Sequence, residues 1–253
     1  MTTLLFVFLA CADPSVEEPP PDMQELTWML LRDFGTDAAV GEAELLAAWI
    51  DEAIDAPDEG YALTPPADAY IVDLSFSENL EVQNMAGALV IRRVRGTIDQ
   101  HAAVVPEEDQ SFADGSYERW DRRLVQGDAA DWADGGRLVA EDDIEKNGGF
   151  GVILPYPMER DYLWIALERG AAVLTRSVIH EEGWADEQNG IYGGFTIEMW
   201  LPEEDGMIWM NATWTQVVSV VDEFAEDGFY TDQIIDGSTE VMVGTELYVA
   251  GPE

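Results

Sequence analysis

Basic residues, cysteine and histidine are scarce in this 253-residue chain. Twelve Lys and Arg stand against 52 Asp and Glu, a formal net charge of −40. Such a surface repels phosphate backbones, so nucleic-acid binding lacks its main source of affinity, and it repels anionic headgroups in the same way. Lys146 is the only lysine; the other eleven basic residues are Arg. Cys11 is the only cysteine, which excludes a disulfide within the chain. With only His101 and His180 to join it, a structural zinc site of the usual Cys/His kind is excluded by inventory. No apolar run approaches the ~20 residues of a membrane-spanning helix. Neither Gly-x-Ser-x-Gly, nor a Gly-rich loop ending in Lys-Ser/Thr, nor Gly-x-Gly-x-x-Gly occurs, so the common nucleophile and nucleotide machineries have no signature here.

What is present is ample core material. Hydrophobic residues make up 47% of the chain, with nine Trp, eight Tyr and nine Phe, which points to a folded domain rather than a disordered one. Self-repulsion at this charge destabilises a compact state unless salt screens it, and the Debye length is still about 8 Å at physiological ionic strength. The composition therefore suits a saline or divalent-rich medium outside the cytoplasm, with simple drift toward acidic residues as the alternative.

The apolar run Leu4 to Ala10 meets the lower limit of a secretory h-region. Ala12 to Asp22 then carries Pro14, Pro19, Pro20 and Pro21 with Glu17 and Glu18, too little apolar surface to offset chain entropy. Cys11 sits between them. The tetrapeptide Phe8-Leu9-Ala10-Cys11 resembles the lipobox of bacterial lipoproteins, although Phe8 stands where Leu is usual and no Lys or Arg precedes the run. The resemblance implies cleavage before Cys11 and acylation of its sulfur. On that reading residues 1–10 are a signal peptide and 11–22 a lipidated cysteine with an acidic, Pro-rich linker. Residues 23–253 form a single globular domain, held at the bacterial cell envelope outside the cytoplasm, with the outer membrane favoured. The alternative is a buried thiol in a first strand, and the Pro-rich tether that follows argues against it.

Asp22 to Glu25 has the form of a capping box, with Met23, Leu26, Met29, Leu30 and Phe34 on one helical face before Gly35. A second helix is expected with Leu45, Leu46, Trp49, Ile50, Ala53 and Ile54 as its stripe and Glu42 and Glu44 in its first turn, followed by a loop over 55–67. Period-two alternation marks strands at 70–76 and 86–94. Asn147-Gly148, Arg169-Gly170, Asn189-Gly190 and Asp205-Gly206 separate strand-like runs at 137–145, 149–154, 161–168, 171–180, 191–201 and 207–218. Turns a strand-length apart predict an antiparallel meander. Phe195, Ile197, Met199 and Leu201 are expected on one face opposite Thr196, Glu198 and Trp200, and large apolar residues on both faces imply cover on both sides. Residues 231–249 read as a helix capped by Thr231, with a strand over 240–249 as the alternative. The fold class is α+β: an N-terminal helical pair, a long-stranded meander sheet and a C-terminal helix packed on it.

Candidate chemistry is sparse. The loop Asp128 to Gly136, with Glu141, Asp142 and Asp143 beyond it, is the best oxygen-rich candidate for calcium, but its acids are spaced by three and weak divalent binding by the surface is the simpler expectation. His180-Glu181-Glu182 offers a mixed ligand set. Arg92, Arg93 and Arg95 with Arg119, Arg122 and Arg123 would form an anion site if adjacent across the sheet, and otherwise pair with surplus carboxylates. Among Trp120, Trp132, Trp164, Trp184, Trp200, Trp209 and Trp214, the loop-like contexts of Trp132 and Trp184 make them the exposed candidates for stacking. No catalytic residue, metal site or cofactor is assigned. The reading is a lipid-anchored envelope protein, touching the membrane through its anchor only, whose non-catalytic domain binds or plays a structural part, its ligand and its protein or glycan partner left open. One alternative is a carrier of an apolar small molecule or lipid, with its pocket between helices and sheet. The other is a glycan hydrolase working through paired carboxylates.

Overall fold

The computed structural model describes residues 22–53, 60–148, 152–220, 222 and 228–251. The expected signal peptide, Cys11 and nearly all of the expected linker lie outside them. The chain opens with α1 (Met23–Asp33) and α2 (Asp37–Ala53), followed by β1 (Tyr61–Leu63) and β2 (Ala86–Arg95). Then come α3 (Ile98–Val104), β3 (Tyr117–Gln126) and α4 (Ala129–Ala133). Five strands follow, β4 (Leu138–Asn147), β5 (Ile153–Leu167), β6 (Gly170–Ile179), β7 (Gly183–Trp184) and β8 (Gly190–Glu203). The last elements are β9 (Gly206–Val218) and α5 (Phe229–Ala250). Among the described residues all strand pairs are antiparallel, in the order β1-β2-β9-β8-β6-β5-β4-β3, with β7 beside β8. From β3 to β9 this is the expected meander, and the fold is α+β.

Strand parity sorts the side chains onto two faces. Phe195, Ile197, Met199 and Leu201 of β8, with Ile208, Met210, Ala212 and Trp214 of β9, join the main apolar cluster under α1 and α2. Leu26, Leu30, Leu31 and Phe34 of α1, with Leu46 and Ile50 of α2, complete it. The opposite parity, including Trp200, Met207 and Trp209, faces α3, α4 and α5. The sheet is thus covered twice, by helices on both sides. Asp22 caps α1 by accepting from the Glu25 N–H at 2.9 Å.

Several local expectations are corrected. The helix α2 starts at Asp37, earlier than Glu42, and its buried stripe runs through Ala39, Ala43, Ala47 and Ile50 while Leu45 is exposed. The earlier start extends the face of Leu46 and Ile50 back through small residues, which let α2 lie close to α1. Residues 70–76 are not a strand. After Pro65 and Pro66 the chain crosses the outer face in short turns, buries Ile71, exposes Val72, and leaves the place beside β2 to β1 inside the expected loop. Asn147-Gly148 is not a two-residue turn, because Asn147 pairs with Ile153. β5 continues unbroken through Pro155 and Pro157. Asn189-Gly190 is not a two-residue turn either, since Gly190 already pairs with Trp184, and at Arg169-Gly170 and Asp205-Gly206 the turn residues are Glu168-Arg169 and Glu204-Asp205, one position earlier than expected. α5 settles the C-terminal ambiguity as a helix and begins two residues before Thr231, after Gly228 at φ 91°.

Candidate functional site

The sheet face turned toward α5 is divided by a line of charge. Arg122 on β3 faces Asp142 on β4 and donates Nε to Oδ1 at 2.8 Å and Nη2 to Oδ2 at 2.7 Å, both side chains buried. Its third donor meets the Val105 carbonyl at 2.8 Å. On β5, Arg160 lies 3.3 Å from Asp142 and 3.4 Å from Glu198 of β8. Glu198 in turn accepts from the Trp209 indole N–H on β9 at 3.0 Å. Burial alone would raise the Asp142 carboxyl, but the Arg122 guanidinium, reinforced by Arg160, outweighs it and holds the group below the usual carboxylate range. Trp120 and Tyr162 pack their rings against these guanidiniums.

On one side of this belt the face is filled. Trp132, Tyr162, Val173, Trp200, Met207 and Trp209 form a continuous cluster beneath α3 and α4, closed by Met242 of α5. On the other side α5 stands off the sheet, and a cavity of about 550 Å³ remains. Its sheet wall includes Met158, Ile179, Ile191 and Val217, and its helix wall includes Ile234 and Val241. Arg160 and Glu198 form its charged margin, and Lys146 lines it from the end of β4. The Lys146 ammonium stands 3.5 Å from Asp114 and 4.8 Å from the Tyr117 ring centre. A Cβ at Gly237 would come within 3.2 Å of that nitrogen, so glycine on α5 leaves room for the ammonium. Burial pushes the Tyr117 and Tyr156 hydroxyls well above the ordinary phenol range, so both remain neutral donors. A volume of this size with apolar walls and a few convergent polar groups matches the ~300–1,000 Å³ of small-molecule sites.

The structure distributes the sequence candidates otherwise. Asp128 accepts from the N–H groups of Ala130 and Asp131, which makes the supposed calcium loop the capped start of α4. Of the acids beyond it, Glu141 pairs with Arg123, Asp142 with Arg122 and Asp143 with Arg119. Among the described residues no group of three His, Cys, Asp or Glu is placed to hold a metal. His180 meets the Ser75 carbonyl at 2.7 Å, and Glu182 accepts from Ser77, Asn79 and Trp184. That motif therefore fastens residues 75–79 to the sheet. His101 is buried, 2.8 Å from the Arg95 carbonyl and edge-on to Trp209, and burial lowers its pKa. The two arginine groups lie near opposite edges of the sheet and do not make one anion site. Arg93 pairs with Glu203, Arg95 with Glu246, and Arg119, Arg122 and Arg123 with acids on β4. Trp132 is buried, its N–H on the Ala102 carbonyl at 2.8 Å; Trp184 is 38% exposed, as expected, but lies away from the cavity wall. The belt itself was missed. Its signal was Asp142, Arg160 and Glu198 at strand positions whose parity otherwise carries apolar residues.

No protein-family model matches this chain, and no curated protein does. Solved structures with a similar course of the backbone include TTHA0849 from Thermus thermophilus, at 12% identity over 65% of this chain and 97% of that one, TM-score 0.46. A STAR-related lipid transfer protein from Xanthomonas axonopodis overlaps at 11% identity over 69% and 91%, TM-score 0.45. The Zhui aromatase/cyclase from Streptomyces sp. R1128 overlaps at 9% identity over 66% and 94%, TM-score 0.42. With overlap of this order, function has to be read from this chain's own cavity.

Proposed function

We propose that the domain binds a small, mainly apolar molecule in the cavity between α5 and the sheet and acts as a carrier rather than a catalyst. The carrying observation is the 550 Å³ space with an apolar wall on both sides and a charged belt along one margin. A packed protein interior leaves few voids larger than a water molecule, so a hollow of this size beside a fully filled cluster is a specific feature of the fold. The hydrolase alternative finds no support here: Asp142 is held ionised by Arg122 and Arg160, which takes it out of the role of a protonated acid, and Glu198 is engaged by Arg160 and the Trp209 indole.

Titration with the uncharged fluorophore N-phenyl-1-naphthylamine tests the reading. Saturable enhancement is expected for the parent protein and its loss for Val241→Trp, which fills the space from the helix side, while the variant keeps a cooperative folding transition. Absence of saturable enhancement, or equal binding by the filled variant, overturns the proposal.

The anchored location is proposed on the sequence alone. What supports it is Phe8-Leu9-Ala10-Cys11 followed by the Pro-rich linker, and several acyl chains on one residue meet the requirement of stable anchoring. The mass of the N-terminal peptide of the native protein decides it. A diacylglyceryl-modified Cys11 as first residue is expected, and an unmodified thiol or retained residues 1–10 refutes it.

A further inference from the structure

We infer that the molecule taken by this cavity is an uncharged amphiphile whose hydroxyl or carbonyl group bonds to Ser177, and that carboxylates are refused. This rests on the cavity being a binding site and adds the chemical class of its guest. Ser177 lies on the cavity-facing side of β6, is 1% exposed, and its Oγ has no hydrogen-bond partner among the described residues. A buried hydroxyl without a partner forfeits the bonds that water would give it, so an unpartnered one on a cavity wall is a place for a guest's polar group. The nearby neutral side chains Thr196, Thr213 and Ser238 do not share that condition, whereas the Arg160 Nε, 3.3 Å from Asp142, has no hydrogen-bond partner among the described residues either. Thr196 bonds Thr213 at 2.8 Å, Thr213 bonds Asn211 at 2.9 Å, and Ser238 of α5 reaches Asn211 at 3.2 Å. Thr175, one step along the same face of β6, also lacks a partner among the described residues but does not line the cavity.

The charges decide between a neutral and an anionic guest. Both basic side chains on the wall already face carboxylates, Arg160 those of Asp142 and Glu198, and Lys146 that of Asp114. A guest carboxylate would have to displace one of these or be buried without a counter-ion, in a protein already at −40. A hydroxyl or carbonyl asks for no charge and finds, at Ser177, a group that both donates and accepts. Ser177 sits opposite Arg160 on β5 and Thr196 on β8, at the belt margin, so the apolar body of the guest is left to Met158, Ile179 and Ile191.

The experiment is displacement of N-phenyl-1-naphthylamine by 1-decanol and by decanoate near pH 8, in molar NaCl so that the overall charge is screened. Decanol is expected to compete at about tenfold lower concentration than decanoate. In Ser177→Ala that advantage should shrink to about threefold or less through weaker decanol binding, each displacement being referred to the variant's own affinity for the fluorophore. Equal or better displacement by decanoate overturns the inference, as does an undiminished decanol advantage in Ser177→Ala, and both leave the cavity reading standing. Failure of the fluorophore to bind the parent protein overturns the cavity reading itself.

Discussion

Arg160 on β5 and Glu198 on β8 meet at 3.4 Å although a whole strand, β6, runs between theirs. The bridge passes over Thr175 and Ser177, which the register sets beside these two residues. Short side chains on β6 are what allow the long ones from either side to close over it.

Asp142 is the pivot of the belt, with Arg122 and Arg160 both bound to it. Its replacement by Leu would leave the buried Arg122 guanidinium without a counter-ion and Arg160 with Glu198 alone, an expected loss of about 3–5 kcal/mol of stability. Replacing Arg122 by Met in the same chain removes one of those charges and should restore a large part of the loss. Urea denaturation of the two single variants and the double variant measures the coupling, and additive losses would contradict the shared network.

Gly244 is where α5 touches the turn at 111–113, and a Cβ there would collide with the Ala113 carbonyl oxygen. In an exposed helix Gly→Ala gains about 1 kcal/mol. Here the collision is with backbone, and overpacking costs about 1–3 kcal/mol, so Gly244→Ala is expected to destabilise despite the better helix former. A higher unfolding midpoint would show that α5 has room to shift.

Glu42 of α2 is buried against Asp33 and Arg32 of α1. Burial first, and the neighbouring Asp33 second, raise its carboxyl to about 7 from an ordinary 4.5. The folded value lies above the unfolded one, so the folded state carries no penalty from this group below about pH 4.5. The penalty grows as pH rises through the window from 4.5 to 7 and is complete above it. Glu42→Gln should therefore stabilise the protein at about pH 8 and bring a much smaller gain at about pH 5.5. Thermal unfolding at the two pH values checks this; an equal effect at both would mean that the carboxyl does not titrate there.

Self-repulsion at −40 predicts a melting temperature that climbs from low salt to molar NaCl, where the Debye length falls to about 3 Å. A flat profile would mean that ion pairs such as Arg119 with Asp143 and Glu145 already neutralise the strain locally.

Alternation made the two faces of β8 and β9 legible, because both are largely buried and each position must be of the right kind. The same alternation misled at 70–76, where β1 takes the place beside β2 and the segment's apolar residues drop singly onto the main cluster. Trp132 looked exposed because its neighbours are acidic; the capping bonds of Asp128 turn the short helix so that the indole points inward. The belt was beyond the sequence for a different reason. Its members come from β3, β4, β5, β8 and β9, and only the strand register brings Arg122, Asp142, Arg160, Glu198 and Trp209 into one row.

Among the described residues, the main apolar cluster contains none from α5. That helix is held by the smaller clusters of the opposite face, by Arg95 with Glu246 and by the stacking of Phe112 on Tyr248, so a guest taken up as proposed would leave the main cluster undisturbed. The proposed guest's side and the ballast that resists unfolding are separated by the thickness of a single sheet.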